Sequence, residues 1–212
     1  MEEIKVNLLR PFGPSILYAK IPDTTVSILN DYVENIIESQ KKSEELDHGD
    51  NLVGHVTQEF RIEEEIARKS GWVDFLSKCI NFWITNDMKK NISKLDINSS
   101  WIVRQFKNEY NPTHWHTGHL SGAGFLKVPN TWGEHVQNKE RGYQGGRLQL
   151  IHGSRMFLSP SPFNIEPKVG DFYFFPNYLM HTVFPFSGTK EERRSISFNA
   201  VIDENLYNVY TK

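Results

Sequence analysis

The stretch from Ser100 to Asp203 constrains the fold most, because it consists of short β-rich segments separated by turn residues. These segments are rich in β-branched and aromatic residues, and Asn-Pro, Gly-Gly, Pro-Asn and Ser-Gly pairs supply the turns between them. The segments read WIVRQF, SGAGFLKV, GGRLQLIHG, GDFYFFP, HTVFPF and RRSISFNAVI. Several strands at such spacing predict a β-sandwich or barrel.

The chain up to about Asn98 has a mainly helical pattern. Apolar residues three and four apart predict a helix over 25–38 and a second helix from about Ile62 to Lys90, with a break near Gly71. The segment ILYAKI is strand-like, and the charged stretch QKKSEELDHGDN is predicted to be a solvated loop. The two halves together predict an α+β fold that is mainly β, with helices bracing one face.

Length and composition exclude several classes of protein. A chain of 212 residues favours one domain, and 24 Lys+Arg against 26 Asp+Glu leaves no basic excess for binding nucleic acid non-specifically. The 38% hydrophobic and 13% aromatic content argues against disorder, while a mean hydropathy of -0.51 argues against a membrane span. One cysteine, Cys79, and an N-terminus without signal-peptide features predict a cytoplasmic protein.

Histidines are concentrated in the β-rich half, which contains six of the eight. His114 and His116 stand two residues apart in NPTHWH, and on an extended strand such residues project from the same face. A third histidine, His181, follows the aromatic segment GDFYFFPNYLM. The spacing therefore predicts that these three imidazoles converge on one metal ion.

Arg193 and Ser195 share one face of the last predicted strand, RRSISFNAVI. A guanidinium is a permanently charged, planar fork that binds a carboxylate through two hydrogen bonds, and a nearby hydroxyl adds a donor. Three facial imidazole ligands suit Fe(II), among other metals, and leave coordination positions open. A metal of this kind beside an arginine predicts binding of a 2-oxo acid, which chelates metal at one end and carries a carboxylate at the other.

The order of NPTHWH, LSGAGFLKVP, GGRLQL, GDFYFFPNYLMH and RRSISFN resembles the Fe(II)- and 2-oxoglutarate-dependent dioxygenases. The similarity is greatest to the small bacterial and phage members related to prolyl hydroxylases, and it covers roughly Trp101 to Asp203. It implies a double-stranded β-helix, a cupin-like jelly roll, within one domain 1–212. Residues 100–203 would form its catalytic core and residues 1–99 a helical support.

The resemblance also implies the chemistry. Fe(II), 2-oxoglutarate and O2 would hydroxylate a C–H bond with release of succinate and CO2, and a prolyl or other peptidyl side chain is the favoured substrate over a small molecule. The family's two metal histidines match His114 and His181, and its co-substrate arginine matches Arg193, with Ser195 beside it.

One position departs from the family pattern, because His116 stands where the family has Asp or Glu. A neutral ligand there would leave one more positive charge on the metal centre. His119 and Glu134 remain alternatives for the third ligand. Gln105 and Asn199 are candidates for hydrogen bonding to the co-substrate or to a ligand histidine.

Three further segments carry expectations. We expect Trp115 to pack in the core, KEERR to be solvated apart from Arg193, and residues 130–143 to form a substrate lid. Two other functions stay open: a three-histidine metalloenzyme that does not use 2-oxoglutarate, and a non-catalytic jelly-roll binding module. The expected partners are a small molecule or peptide, without nucleic acid or membrane, and a homodimer is left open.

Overall fold

The computed structural model describes residues 4–9, 13–49, 53–132 and 144–208. Strands and helices alternate in the first half of these residues, and strands dominate the second half. The elements in chain order are β1 (Val6–Leu9), β2 (Ile16–Lys20), α1 (Asp23–Ile37), α2 (Gln40–Glu45), β3 (Gln58–Arg61), α3 (Glu64–Lys69), α4 (Trp72–Met88), β4 (Leu95–Gln105), β5 (Asn111–His114), β6 (Leu120–Lys127), β7 (Leu148–Ile151), β8 (Pro162–Ile165), β9 (Asp171–Pro176), β10 (Met180–Val183), β11 (Arg193–Ile202) and α5 (Glu204–Tyr207).

The strands form two antiparallel sheets. The larger has the order β1-β2-β9-β6-β11-β4-β3, and the smaller has the order β5-β10-β7-β8. Phe125 and Phe175 of the larger sheet share a buried cluster with Leu148 and Leu150 of the smaller one, so the two sheets face each other. The predicted β-sandwich is therefore confirmed, and it includes three strands, β1 to β3, from the first half of the chain.

Helices α1 and α4 cover the opposite face of the larger sheet. The ring of Phe172 on β9 lies 5.2 Å from the Trp72 ring of α4. A Cβ atom at Gly124 on β6 would lie 2.3 Å from the Phe172 ring, so glycine is required there for this ring to lie against the sheet. Within the described ranges, no helix combines the length and apolar character needed to cross a membrane.

The helix predictions are largely confirmed. The helix predicted over 25–38 is α1, and the second is divided into α3 and α4 at Gly71, whose φ of 79° interrupts the helix. The loop predicted for QKKSEELDHGDN is wrong in part, because its first six residues form α2. The Ser39 side chain accepts a hydrogen bond from the Lys42 N–H and so caps this short helix.

The expectation that KEERR is solvated apart from Arg193 is wrong for Glu192 and Arg194. Glu192 and Arg194 are buried, and Arg194 has 0% exposure. Glu192 accepts hydrogen bonds from Arg194 Nε at 2.7 Å and from Arg104 Nε at 2.8 Å. Arg194 also donates to Glu34 of α1 at 2.7 Å. This network ties β11 to β4 and to α1, because the strand alternation turns Arg194 away from Arg193.

The two arginines determine the ionisation of Glu192. Burial alone would raise its pKa, but the hydrogen bonds and charges of Arg104 and Arg194 outweigh burial and lower the pKa to about 2. Glu192 is therefore ionised at neutral pH, and the network depends on both arginines.

We predict that Arg194→Ala destabilises the fold by about 3 kcal/mol, because breaking a buried ionic network leaves its remaining charged partners poorly compensated. The free energy of unfolding, measured by urea denaturation, checks this. The control is Lys190→Ala, at an exposed position, which should change stability by less than about 0.5 kcal/mol. Equal effects of the two substitutions would contradict a structural role for Arg194.

Candidate functional site

His114, His116 and His181 form a compact cluster between the two sheets. His114 on β5 is paired directly with His181 on β10. The Nε2 atom of His116 lies 3.2 Å from that of His114 and 3.0 Å from that of His181. The potential ligand atoms of the three residues all lie within 4.8 Å of one another, as a shared metal ion requires.

His116 reaches the cluster from outside the strand. Strand β5 ends at His114, and the His116 N–H donates to the Asn177 carbonyl oxygen at 3.0 Å instead of continuing the β5–β10 ladder. The predicted convergence of the two imidazoles is present, but an uninterrupted strand does not produce it. The loop 176–179 supports His116.

Each of the three imidazoles has an oxygen acceptor at its Nδ1 atom. The acceptors are the Pro112 carbonyl for His114 at 2.6 Å, the Leu179 carbonyl for His181 at 2.9 Å, and Asn199 Oδ1 for His116 at 2.8 Å. A carbonyl oxygen can only accept, so the network assigns the proton to Nδ1 of His114 and His181, and the amide oxygen of Asn199 assigns it likewise in His116. The three Nε2 lone pairs are then directed at one another, an arrangement that a cation stabilises.

The cluster is neutral at physiological pH. Burial lowers the pKa of His114, lowers that of His116 to about 4, and lowers that of His181 well below its ordinary value. Neutral imidazole is the form that binds a metal ion. The donor set therefore fits a transition-metal ion such as Fe(II) or Zn(II).

Arg193 is buried beside this cluster, and no acidic side chain among the described residues pairs with it. It is 2% exposed, its Nη1 donates to Ser195 Oγ at 3.3 Å, and its guanidinium lies 4.9 Å from the centre of the Phe125 ring. Its Nε atom has no hydrogen-bond partner within the described part of the chain, and burial lowers the pKa of the guanidinium to about 9. A buried, unpaired charge is costly, so the arrangement fits an anionic ligand such as a carboxylate.

The arginine and the histidines line one pocket. Strands β4 and β11 contribute Trp101, Arg193, Ser195 and Ser197 to its wall. The Trp101 ring stacks on His116, with centroids 5.4 Å apart and planes at 29°. The pocket thus offers a metal site and a carboxylate site enclosed by aromatic and aliphatic side chains; its other lining residues include Val103, Asn111, Ala123, Leu148 and Val183.

A family model described as "Putative 2OG-Fe(II) oxygenase" matches residues 99–199, which contain all three histidines, Arg193 and Ser195. This segment is therefore similar to the 2OG-Fe(II) oxygenase family. No curated protein matches the chain.

Solved structures similar to this chain include three prolyl hydroxylases. The Pseudomonas putida prolyl-4-hydroxylase has a TM-score of 0.57 and 13% identity, with 93% of this chain and 91% of that chain covered. The viral collagen prolyl hydroxylase from Paramecium bursaria Chlorella virus-1 has a TM-score of 0.52 and 14% identity, with 86% and 94% covered. A Trichoplax adhaerens prolyl hydroxylase in complex with a hypoxia inducible factor peptide fragment has a TM-score of 0.53 and 14% identity, with 92% and 87% covered. These similarities confirm the double-stranded β-helix.

The alternatives for the third ligand have different outcomes in the structure. His119 points away from the cluster: its ring stacks on Tyr207, with centroids 4.0 Å apart, and its Nε2 lies 3.3 Å from Glu204 Oε2. Glu134 and most of the expected lid, residues 133–143, lie outside the described residues. Among the described residues, His116 is thus the histidine that joins His114 and His181.

Neither of the two candidates for co-substrate binding, Asn199 and Gln105, is among the residues that line the pocket. Asn199 is hydrogen-bonded to His116 and to Ser121 Oγ, at 2.8 Å and 3.1 Å. Gln105 is fully buried, and its Nε2 donates to the Phe184 carbonyl at 3.1 Å, but it does not line the pocket. In the structure, Asn199 therefore orients a histidine, and Gln105 supports the end of β10.

The expectation that Trp115 packs in the core is wrong, because this side chain is 64% exposed. It follows the last residue of β5, and its neighbours His114 and His116 turn inward. Sequence reasoning also missed Trp101, Ser121 and Asn177. Trp101 stands at an even spacing from Val103 and Gln105 on one strand, so the sequence indicates that the three share a face. This spacing does not indicate that the Trp101 ring stacks on His116.

Glu59 on β3 is a buried acid close to the pocket wall. It is 3% exposed, its Oε1 has no hydrogen-bond partner in the part of the chain described, and a Cβ at Gly54 would lie 3.0 Å from that atom. Burial raises its pKa to about 7, although a hydrogen bond from the pocket residue Asn111 opposes this change. As the pH rises, Glu59 therefore keeps its proton in the folded protein to a higher pH than in the unfolded chain.

We predict that Glu59 makes the protein less stable as the pH rises from about 4.5 to about 7, because the folded state binds more protons than the unfolded state in this range. Glu59→Gln should remove this component, so its stability relative to wild type should improve between pH 5 and pH 7.5. Urea denaturation at both pH values measures the effect. The exposed Glu166→Gln serves as control, and a Glu59→Gln difference that is the same at both pH values would contradict the prediction.

Proposed function

We propose that the protein is an Fe(II)- and 2-oxoglutarate-dependent dioxygenase. In this proposal, His114, His116 and His181 bind the iron, and Arg193 with Ser195 binds the distal carboxylate of 2-oxoglutarate. The observation that carries the proposal is the buried, uncompensated Arg193 in the same pocket as three converging, neutral imidazoles. The family match over 99–199 supports it.

Bound ferrous iron would supply the redox chemistry in which 2-oxoglutarate, O2 and a substrate C–H give succinate, CO2 and a hydroxylated product. The residues of this chain do the binding and orienting. Arg193 would fix one end of the co-substrate through paired, charge-assisted hydrogen bonds, so that its 2-oxo acid end is held toward the histidines. The Trp101 ring lies against His116, and the Phe125 ring lies against Arg193. These apolar rings limit the access of water, which strengthens the electrostatic contacts of the co-substrate.

Charge balance is consistent with the three-histidine set. Neutral ligands leave the full double charge of Fe(II), and Arg193 adds a further positive charge nearby. A dianionic co-substrate brings two negative charges to this environment. An Asp or Glu in place of His116 would cancel one metal charge, so we expect the histidine to favour binding of anions.

The proposed substrate is a peptidyl side chain, with proline as the leading candidate. The support is that three similar solved structures are described as prolyl hydroxylases and that one of them holds a peptide fragment. We further propose that residues 1–212 act as one domain, since strands β1 to β3 complete the sheet that carries Arg193. A cytoplasmic location would keep the iron ferrous.

A second candidate is a three-histidine metalloenzyme that does not use 2-oxoglutarate. The observation that favours it is His116 itself, which replaces the carboxylate of the usual ligand set. It leaves the buried Arg193 without a function, so we favour the 2-oxoglutarate-dependent reaction.

We predict that the purified protein, supplied with Fe(II), ascorbate, O2 and 2-oxoglutarate, forms succinate. Without O2, the complex with Fe(II) and 2-oxoglutarate should show a metal-to-ligand charge-transfer band in the visible spectrum. The three-histidine alternative predicts bound iron with neither the band nor succinate. Absence of iron binding would contradict both and favour a non-catalytic module.

We predict that Arg193→Leu weakens 2-oxoglutarate binding about 100-fold, because truncating one member of a buried ion pair costs about 2–5 kcal/mol. Metal binding should persist, and the protein without ligands should become more stable by about 1–4 kcal/mol, since an apolar side chain replaces a buried charge. Anaerobic calorimetry with Mn(II) and 2-oxoglutarate, together with urea denaturation, measures these effects. The control is Arg155→Leu at an exposed position, and an unchanged affinity in Arg193→Leu would overturn the assignment.

A further inference from the structure

The backbone of His116 is held by a single residue, Asn177, rather than by a strand. Strand β5 ends at His114, and the last pair in its ladder with β10 is His114 with His181. Asn177 bonds both main-chain polar groups of His116: its carbonyl accepts from the His116 N–H at 3.0 Å, and its Nδ2 donates to the His116 carbonyl at 3.1 Å. Asn177 thus does for this residue what a neighbouring strand does for His114.

Asn177 also fixes the far end of the same loop. Its main-chain N–H donates to the His119 carbonyl at 3.1 Å. The segment 116–119 is therefore bonded to Asn177 at both ends, and the imidazole of His116 can turn only about its own side-chain torsions. The Nδ1 contact with Asn199 then fixes the ring.

The orientation of the Asn177 amide is set by the C-terminal helix α5. The Tyr207 hydroxyl donates to Asn177 Oδ1 at 2.9 Å. A phenol proton at the amide oxygen leaves Nδ2 facing the His116 carbonyl, as the bond to His116 requires. Without this bond, the amide could rotate and offer its oxygen to a carbonyl, which is repulsive.

Tyr207 is placed by His119. Their rings stack with centroids 4.0 Å apart and planes at 7°, and the Ile202 N–H donates to His119 Nδ1 at 3.2 Å, which fixes the imidazole against the end of β11. A continuous set of contacts therefore runs from the C-terminal helix through Tyr207 and Asn177 to the backbone of His116.

We infer that Asn177 is a positioning residue for the metal ligand His116 and that Tyr207 of α5 keeps it oriented. The inference rests on the proposed function, in which His116 binds the iron. It assigns a role to His119, which is not a metal ligand in this proposal but supports Tyr207. It also makes metal affinity depend on a residue that lies 91 positions from His116 in the sequence and contacts none of the three imidazoles at the cluster.

The test compares Tyr207→Phe, which keeps the stacked ring and removes the hydroxyl, with Tyr178→Phe. Tyr178 is half-exposed, is adjacent to Asn177, and its hydroxyl makes no hydrogen bond among the described residues, so it controls for the same chemical change. The probe is Co(II), whose affinity is measured by calorimetry and whose visible spectrum reports coordination geometry. Unfolding midpoints of all variants are measured in parallel.

We expect Tyr207→Phe to weaken Co(II) binding about tenfold and to alter its spectrum, because outer partners of metal ligands typically contribute 10–100-fold to affinity. Asn177→Ala should weaken binding more than Tyr207→Phe does, and Tyr178→Phe should match wild type. In the metal-free protein, the ring nitrogen signals of His116 in a ¹⁵N NMR spectrum should shift or broaden in Tyr207→Phe only.

The outcomes separate the two proposals. A wild-type protein that does not bind Co(II) would overturn the metal site, and the positioning role with it. A wild-type protein that binds Co(II), with equal affinity, spectrum and His116 signals in Tyr207→Phe, would overturn the positioning role alone. Weaker binding that follows the loss of stability equally in Tyr207→Phe and Tyr178→Phe would also overturn it.

Discussion

The period-two alternation of strand β11 is the constraint on which the site depends. Arg193 and Arg194 are adjacent and both fully buried, yet the strand turns them to opposite faces. Arg194 meets Glu192 and Glu34, which neutralise it and join the sheet to α1. Arg193 meets Ser195 and an aromatic ring, so its charge is left for a ligand. A slip of one residue in the register would exchange these roles, and the helices that pack on the Ile196 side therefore also protect the chemistry.

Exclusion of water acts on the two halves of the pocket in complementary ways. It lowers the pKa of the three imidazoles, so they remain neutral ligands, and it leaves the guanidinium charged but poorly solvated. A metal ion relieves the first arrangement, and a carboxylate relieves the second. Because both groups share one pocket, a single molecule with a chelating end and a carboxylate end satisfies both. The apolar rings of Trp101, beside His116, and Phe125, beside Arg193, thus contribute to ligand selection by excluding water.

The parts of the site that follow local rules could be predicted from the sequence. Arg-x-Ser is a spacing of two within β11, and strand geometry turns this pair to one side. The same spacing predicted that His114 and His116 converge, although β5 ends at His114 and Asn177 supports His116. Trp115 was assigned wrongly because the strand ends one residue before it. Arg194 was assigned wrongly because its partners Asn30 and Glu34 lie on α1, far from it in the sequence. Asn177 and Tyr207 could not be predicted, since they meet His116 only through the order and register of distant segments. The sequence of α2 is charged and turn-like, so a loop was predicted there. The cap at Ser39 stabilises a short helix instead.

The placement of His116 beyond the end of its strand has a consequence for how such sites evolve. His114 and His181 are opposite each other in the β5–β10 ladder, so their positions cannot change without disturbing the smaller sheet. His116 is supported through its main chain by Asn177, and main-chain support does not depend on the side chain carried. The identity of this one ligand is therefore free to vary between imidazole and carboxylate while the fold stays the same. A single substitution at position 116 would therefore change the charge of the proposed metal centre.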